Sequence, residues 1–311
     1  MLVAYPTDDL ASAAWIDLIS PTEEEVDRVS KATGLRVPGE NEIGEIESSS
    51  RLAFENGAYH VSTPFVALRE GGVLVLAPVG FVLSSRVLLS VRFSALPAFD
   101  AAHEACRKQG VRTAEEAFLR ILEIVVDRAA DKLEQAGAEC DELSRSAFRS
   151  SSSSSSRDKV AGDLRGALRR VGAVADRTSH IRDALLGLGR VAAYVMESGI
   201  EGAPSVSAAR MKAIRADVAS LTDYQAHLAG KVQFLLDATL GFINIEQNEI
   251  VKTLTIASVV GIPPVLVAGI YGMNFRVMPE LTWSWGYPMA LALIVVSAAI
   301  PLVWFKRRGW M

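Results

Sequence analysis

Residues 253–275 read TLTIASVVGIPPVLVAGIYGMNF and contain no charged side chain. A second uncharged stretch, 281–305, follows after a short interval. About 20 apolar residues in a helix are enough to cross the hydrocarbon core of a bilayer. A first span is therefore expected from about Val251 to Tyr271, and a second from about Gly286 to Phe305. Gly272-Met273-Asn274 then lies between them, at a membrane surface. The chain before Lys252 is polar enough to be a soluble region feeding into the spans.

The flanks of the spans give them a direction. Trp283, Trp285 and Tyr287 stand at the start of the second span, and aromatic rings favour the membrane interface. Lys306-Arg307-Arg308 follows it directly, and basic clusters next to spans stay on the cytoplasmic side. Lys252, just before the first span, points the same way. Both ends of the chain are expected inside the cell's plasma (inner) membrane, with Gly272-Met273-Asn274 on the outer face. The N-terminus, MLVAYPTDD, has neither a basic lead nor a long apolar core, so it does not read as a signal peptide.

Composition narrows the function classes. The chain has 311 residues, half of them hydrophobic, and a net charge of −4. That mild acidity gives no reason to expect nucleic acid as a partner. Cys106 and Cys140 form no metal-type pair and read as reduced cytoplasmic thiols on helices. His60, His103, His180 and His227 are scattered, without ligand spacing or a nucleophile arrangement, and read as ordinary surface or helix residues. There is no glycine-rich phosphate loop, so neither ATP hydrolysis nor an organic cofactor is expected. An enzyme is the least supported class.

Upstream of the spans the pattern changes twice. Residues 13–18 read as a strand. Thr22, with Glu25 three positions on, reads as a capping box opening a helix that Gly34 closes. Residues 40–47 are acidic and loop-like. Tyr59–Leu68 and Val73–Leu83, separated by Glu70-Gly71-Gly72, carry a hairpin signal. A further strand is expected over 86–93 and a helix over 95–108. Residues 1–112 thus form a mixed α/β domain. Residues 113–204 form an antiparallel helical hairpin, with Ser150–Ser156 as its flexible turn and Gly199–Pro204 ending it.

From about Ser205 a third helix shows no stop before Gly272. Met211, Ile214, Val218, Leu221, Leu228, Val232, Leu235 and Phe242 recur by threes and fours, a heptad-like seam. Such a helix is on the order of 100 Å long and needs partners to be stable in water, so its seam is expected both to pack against the two preceding helices and to self-associate about an axis. Residues 205–271 are therefore a stalk running into the first span. Residues 272–285 form the outer loop, 286–305 the second span and 306–311 a basic tail.

Two spans cannot enclose a pore, so transport would require an oligomer with one helix per subunit lining the axis. Helical steps from Asp237 give Leu240, Asn244, Asn248, Val251, Thr255, Ser258, Ile262, Val265 and Gly269. Acidic, amide and hydroxyl side chains along one line suit an aqueous path narrowed by apolar rings. Mg²⁺ prefers oxygen and gives up its water reluctantly. A ring of Asn274 amides can hydrogen-bond to the bound waters and hold the hydrated ion weakly enough to release it. Gly272 permits a sharp turn and close backbone approach.

The C-terminal motifs resemble the CorA family of divalent metal-ion (magnesium) transporters. The likeness is carried by Asn248-Glu249-Ile250-Val251-Lys252-Thr253-Leu254-Thr255, then by Gly269-Ile270-Tyr271-Gly272-Met273-Asn274-Phe275. Met278-Pro279-Glu280-Leu281, Trp285-Gly286-Tyr287-Pro288 and the basic tail continue it. It is dense over roughly the last 65 residues, and Trp15-Ile16-Asp17-Leu18 with Pro21-Thr22-Glu23-Glu24-Glu25 also fits the family's opening.

The resemblance implies a homopentamer in the lipid bilayer, with an α+β cytoplasmic domain whose long helices form a funnel. It implies a central pore lined by the first span, and Gly272, Met273 and Asn274 as the outer selectivity filter. Mg²⁺ would enter down its electrochemical gradient, with Co²⁺ and Ni²⁺ as surrogates. Asn274 would bind the ion through its water. Leu254 would form a hydrophobic constriction, Asn248 an inner polar ring and Asp237 an acidic ring that meets metal in the funnel. Lys252, with Lys306, Arg307 and Arg308, fits a basic collar.

Ile262 and Val265 depart from the family pattern, where relatives often carry Met and Thr, and make this pore less polar. The family also uses acidic residues between subunits as regulatory Mg²⁺ sensors, for which Asp217 and Asp223 are candidates by position. Two other readings stand beside this one. The first is Zn²⁺ movement, as in the ZntB branch, which commonly has Val where this chain has Met273. The second is a membrane-anchored metal sensor or scaffold without flux.

Overall fold

Strands β2 (Trp15–Ile19) and β6 (Leu88–Arg92) lie side by side and parallel at the heart of the N-terminal region. Both are buried along almost their whole length, as strands covered on two faces must be. The computed structural model describes residues 1–7, 9–45, 51–68, 74–150, 157–197, 206–274 and 278–310. The expected hairpin turn at Glu70-Gly71-Gly72, most of the serine run, and the break at 199–204 lie outside those residues.

The sheet has six strands in the order β1-β2-β6-β5-β4-β3. Its remaining members are β1 (Leu2–Tyr5), β3 (Leu52–Glu55), β4 (Ala58–Leu68) and β5 (Leu74–Ser84). All pairings except β2–β6 are antiparallel. Sequence reading anticipated β2, β4, β5 and β6. Strands β1 and β3, each of four residues, lie at the edges and are too short to show a period.

Side chains alternate across the sheet. Ile16, Leu18, Leu89 and Val91 face one side, where they pack with Val29 of helix α1 (Glu23–Thr33). The capping box that opens α1 is formed as read, with the Glu25 amide donating to Thr22 Oγ1 at 3.3 Å and the Thr22 amide to Glu25 Oε2 at 3.0 Å. Gly34 follows its last turn in the left-handed region. Residues 40–47, expected to be loop, begin with a short helix α2 (Glu40–Gly44). Ile43 is its single buried side chain and anchors that turn.

The other face carries Trp15, Phe65, Phe81 and Leu88, packed by α3 (Pro97–Gln109) and α4 (Ala114–Ser150). The same apolar cluster continues through α5 (Arg157–Glu197) and the first half of α6 (Ala208–Tyr271), as far as Leu235. So the α/β layer, the hairpin and the N-terminal half of the stalk, read from sequence as three segments, share one core. The seam residues Met211, Ile214, Val218, Leu228, Val232 and Leu235 are all buried in it.

The chain divides into two compact units. One comprises Met1–Ser150 and Gly166–Leu236, the other Ser151–Arg165 and Asp237–Met311. The second holds the remainder of α6, a 3₁₀ turn (Pro279–Thr282) and α7 (Gly286–Arg307). Both α6 and α7 contain a segment long and apolar enough to cross a membrane. Within the single chain almost nothing covers those segments, with 0% and 6% of the residues in their most apolar windows buried. A helix this apolar and this bare must be covered by lipid or by further subunits.

Candidate ion pathway

Helix α6 remains helical from Ala208 to Tyr271, passing through Pro263 and Pro264. Each proline removes the amide that would bond four residues back, so the carbonyls of Val259 and Val260 lack their usual donors. Thr253 and Thr255 turn their hydroxyls onto the Glu249 and Val251 carbonyls, at 2.9 and 2.8 Å. A threonine bonded in this way keeps its oxygen available as an acceptor on the helix surface.

At 3.6 residues per turn, Asp237, Asn244, Asn248, Val251, Leu254, Thr255, Ser258, Ile262 and Val265 fall within an arc of about 120°. Their order gives the face a gradient. Asp237, Asn244 and Asn248 supply a carboxylate and two amides, all exposed. Val251 and Leu254 follow as an apolar band, 60% and 67% exposed, and Thr255 and Ser258 restore hydroxyls. Ile262 and Val265 close the upper half with hydrocarbon. The faces outside this arc are also bare, as at Ile245, Ile250 and Ile270. The polar gradient, not exposure, distinguishes this arc.

The helix ends in the candidate filter. The Gly272 amide donates to the Ala268 carbonyl at 2.9 Å, and the Met273 amide to Ile270 at 3.3 Å. A Cβ on Gly272 would stand 3.1 Å from the Ala268 carbonyl oxygen and 3.5 Å from that of Gly269. The need for glycine is thus close carbonyl approach. Met273 and Asn274 are both exposed beyond the last turn. Downstream, Trp283, Trp285 and Tyr287 are exposed by 55%, 68% and 76%, a band of rings at the start of α7.

At the far end of α7, Lys306 and Arg307 occupy the last turn and Arg308 caps it. The Arg308 guanidinium lies 4.9 Å from the Trp304 ring centre. Trp310 folds back through Gly309 and stacks on Phe305 at 5.4 Å. No carboxylate pairs with these three cations among the described residues. Lys252 is half-buried and contacts Glu249 at 3.4 Å.

The two candidate regulatory carboxylates, Asp217 and Asp223, are exposed on α6. Asp217 stands near Asp127 of α4. Burial first, and then the charges of Asp131, Glu123 and Asp217, hold the Asp127 carboxyl above its ordinary range. Among the described residues no cluster of three or more potential metal ligands forms within the single chain.

Sequence reasoning missed one polar assembly. Asp17, Ser90 and Arg92 alternate onto the same sheet face, and α3 brings His103 onto them. Asp17 is fully buried and accepts from Ser90 Oγ at 2.6 Å, Arg92 Nη2 at 2.9 Å and His103 Nε2 at 2.9 Å. His103 also stacks on Trp15 at 4.6 Å. Sequence alone makes it an ordinary surface or helix histidine, because its partner lies 86 positions away. The signal available was an aspartate in the middle of an apolar strand.

Comparison with known proteins agrees with this architecture. A family model described as CorA-like Mg²⁺ transporter protein matches residues 11–307. The magnesium transport protein CorA of Yersinia pestis is 32% identical over 307 residues, covering 98% of this chain and 94% of the relative. That of Pasteurella multocida is 33% identical, with 97% and 93% covered, and that of Escherichia coli K12 is 31% identical, with the same coverage. The complete structure of the CorA magnesium transporter from Methanocaldococcus jannaschii superposes with a TM-score of 0.73 at 22% identity, covering 96% of this chain and 91% of that one. The full-length CmaX structure gives 0.65 at 17% identity, with 95% and 88% covered. These two likenesses speak to the fold alone. The chain belongs to the CorA-like Mg²⁺ transporter family, a family of membrane transporters.

Proposed function

We propose that the chain assembles as a homopentamer in the plasma membrane and conducts hydrated Mg²⁺ into the cytoplasm, with Co²⁺ and Ni²⁺ as surrogates. The observation that carries this reading is the arc on α6, running from Asp237 through Asn248 and Leu254 and followed by the exposed Asn274. Five such arcs facing an axis give oxygen rings at both ends and an apolar constriction at Val251 and Leu254. The Asn274 amides hydrogen-bond to the waters of the ion, so Mg²⁺ need not be stripped at the mouth. At a membrane potential of −100 mV a divalent ion gains roughly 4.6 kcal/mol on entry, so no ATP is required.

The basic residues beside the spans, Lys252 and Lys306-Arg307-Arg308, support a reading with both termini inside. They also form a collar that opposes leakage of cations when the pore is narrow. Asp237 gathers the entering ion, and Asp217 and Asp223 are where a regulatory ion between subunits would bind. Met273 and the relatives named as magnesium transport proteins favour Mg²⁺ over Zn²⁺. Ion flux into liposomes holding the purified protein tests the reading. A verified pentamer that moves no divalent ion would leave a metal sensor or scaffold in its place.

A further inference from the structure

Four alanines, Ala67, Ala98, Ala129 and Ala184, leave a cavity of about 150 Å³ between the sheet and the helices. Its walls come from β4, β5 and helices α3, α4 and α5, all within the first unit. Phe65, Ile181 and Leu188 form buried apolar walls. The shape follows from the sequence. Val125, Arg128, Ala129 and Lys132 share one face of α4, being spaced by three and four residues. Val125 and Ala129 point inward and are buried, whereas Arg128 and Lys132 are exposed beside the opening.

Neither Arg128 nor Lys132 pairs with a carboxylate among the described residues, and Lys132 reaches only Gln135 Oε1 at 3.4 Å. Pro97 and Ala98, the first turn of α3, also line the cavity, and Leu96 before them provides no side-chain cap. The positive end of that helix faces the same side, offset in part by Asp100 in its first turn. A pocket of this volume with aliphatic and aromatic walls has room for a molecule the size of benzene.

We propose that this cavity binds a small hydrophobic monocarboxylate, with a body about the size of a phenyl ring or a six-carbon chain. The apolar body fills the space between Phe65, Ala129, Ala184 and Leu188. The carboxylate meets Arg128 and Lys132 at the opening. A strongly hydrated dianion would gain nothing from these walls, and a neutral molecule would leave both cations unused. Because the walls belong to the sheet and to both helices of the hairpin, the ligand ties these layers together. The inference does not depend on which ion the pore conducts.

The test uses the full-length protein in nanodiscs and 4-fluorophenylacetate as the probe, followed by fluorine NMR line broadening. Saturable broadening, reversed by hexanoate, is expected for the native protein. The double variant Arg128→Gln/Lys132→Gln alters two exposed residues and should weaken binding by about tenfold or more, given the strength of charge-assisted hydrogen bonds. Ala184→Leu, which fills the cavity, should remove the saturable component. Equal binding of 4-fluorophenylacetamide, or unchanged binding in the double glutamine variant, would overturn the proposal. So would broadening that never saturates, since that is partition into lipid. If Ala184→Leu fails to fold, the charge variant and the amide still decide.

Discussion

The Arg92 guanidinium donates to the Asp17 carboxylate at 2.9 Å from Nη2, with Arg92 2% exposed and Asp17 fully buried. Arg92 also lies 4.5 Å from the Phe99 ring centre and bonds the Ser94 carbonyl at 3.1 Å. The pair thus fastens β2 and β6 to the start of α3. Removing one partner of a buried ion pair leaves the other charge without compensation, at about 3–5 kcal/mol. Asp17→Ala should lower the unfolding free energy of the cytoplasmic region by that amount in a denaturant titration. Asp17→Leu/Arg92→Leu should recover a large part of it. A single variant within about 1 kcal/mol of the native protein, the scale of an exposed pair, would remove this role.

The same site sets an acid limit. Burial opposes ionisation of Asp17, but the His103 hydrogen bond, the Arg92 charge and the Arg92 and Ser90 hydrogen bonds outweigh it, and the carboxyl titrates below its ordinary range. A carboxyl lowered on folding stabilises fully above its unfolded value, about 3.9. That contribution fades as pH falls through the folded value. Unfolding midpoints measured between pH 7 and pH 3 should therefore drop steeply at the acid end. Asp17→Asn should show a shallower decline over the same interval.

Both cysteines should be chemically quiet. Burial pushes the Cys106 thiol up to about 11 and raises Cys140 as well. The thiolate is the reactive form, so at pH 7.5 maleimide should label neither in the folded protein and both after unfolding. Rapid labelling of Cys106 in the folded protein would mean that the packing of α3 against α4 opens readily.

At the filter, Gly272→Ala places a methyl 3.1 Å from a backbone carbonyl oxygen that cannot rotate away. The loop must shift by a few tenths of an ångström to accept it. Mg²⁺ flux should fall, with assembly and the unfolding of the cytoplasmic region unchanged. Native flux in this variant would show that the geometry at Gly272 is not part of the ion path.

Subunit number is open to direct measurement. Bifunctional crosslinking in native membranes should give a ladder that stops at five. A ladder ending at two would be incompatible with a pore lined by one α6 per subunit.

The spans, the long helix and the capping box at Thr22 were legible in sequence because each is a local pattern. An uncharged run, a three-four seam and an S/T-x-x-E box all lie within a few turns of chain. The polar arc on α6 was legible for the same reason, since helical spacing alone puts Asn248 and Thr255 on one face. What stayed hidden joins residues far apart. Trp15 beside Leu88 and His103 against Asp17 come from a parallel strand pairing that no local pattern announces. Residues 40–44 carried too few apolar positions to look helical, and only Ile43 fixes them. Packing of α6 against the hairpin was legible in the seam at Met211, Ile214 and Val218, but the joining of that bundle to the sheet in one core was not, because it depends on how the hairpin lies on the sheet.

The most direct measurement is ion flux into liposomes under an inside-negative potential, comparing Mg²⁺, Co²⁺ and Zn²⁺ in the native protein and in Asn274→Ala. Native protein should admit Mg²⁺ and Co²⁺, and the variant should lose both while still migrating as a pentamer. Unchanged Mg²⁺ entry in Asn274→Ala, or entry of Zn²⁺ without Mg²⁺, would contradict the account.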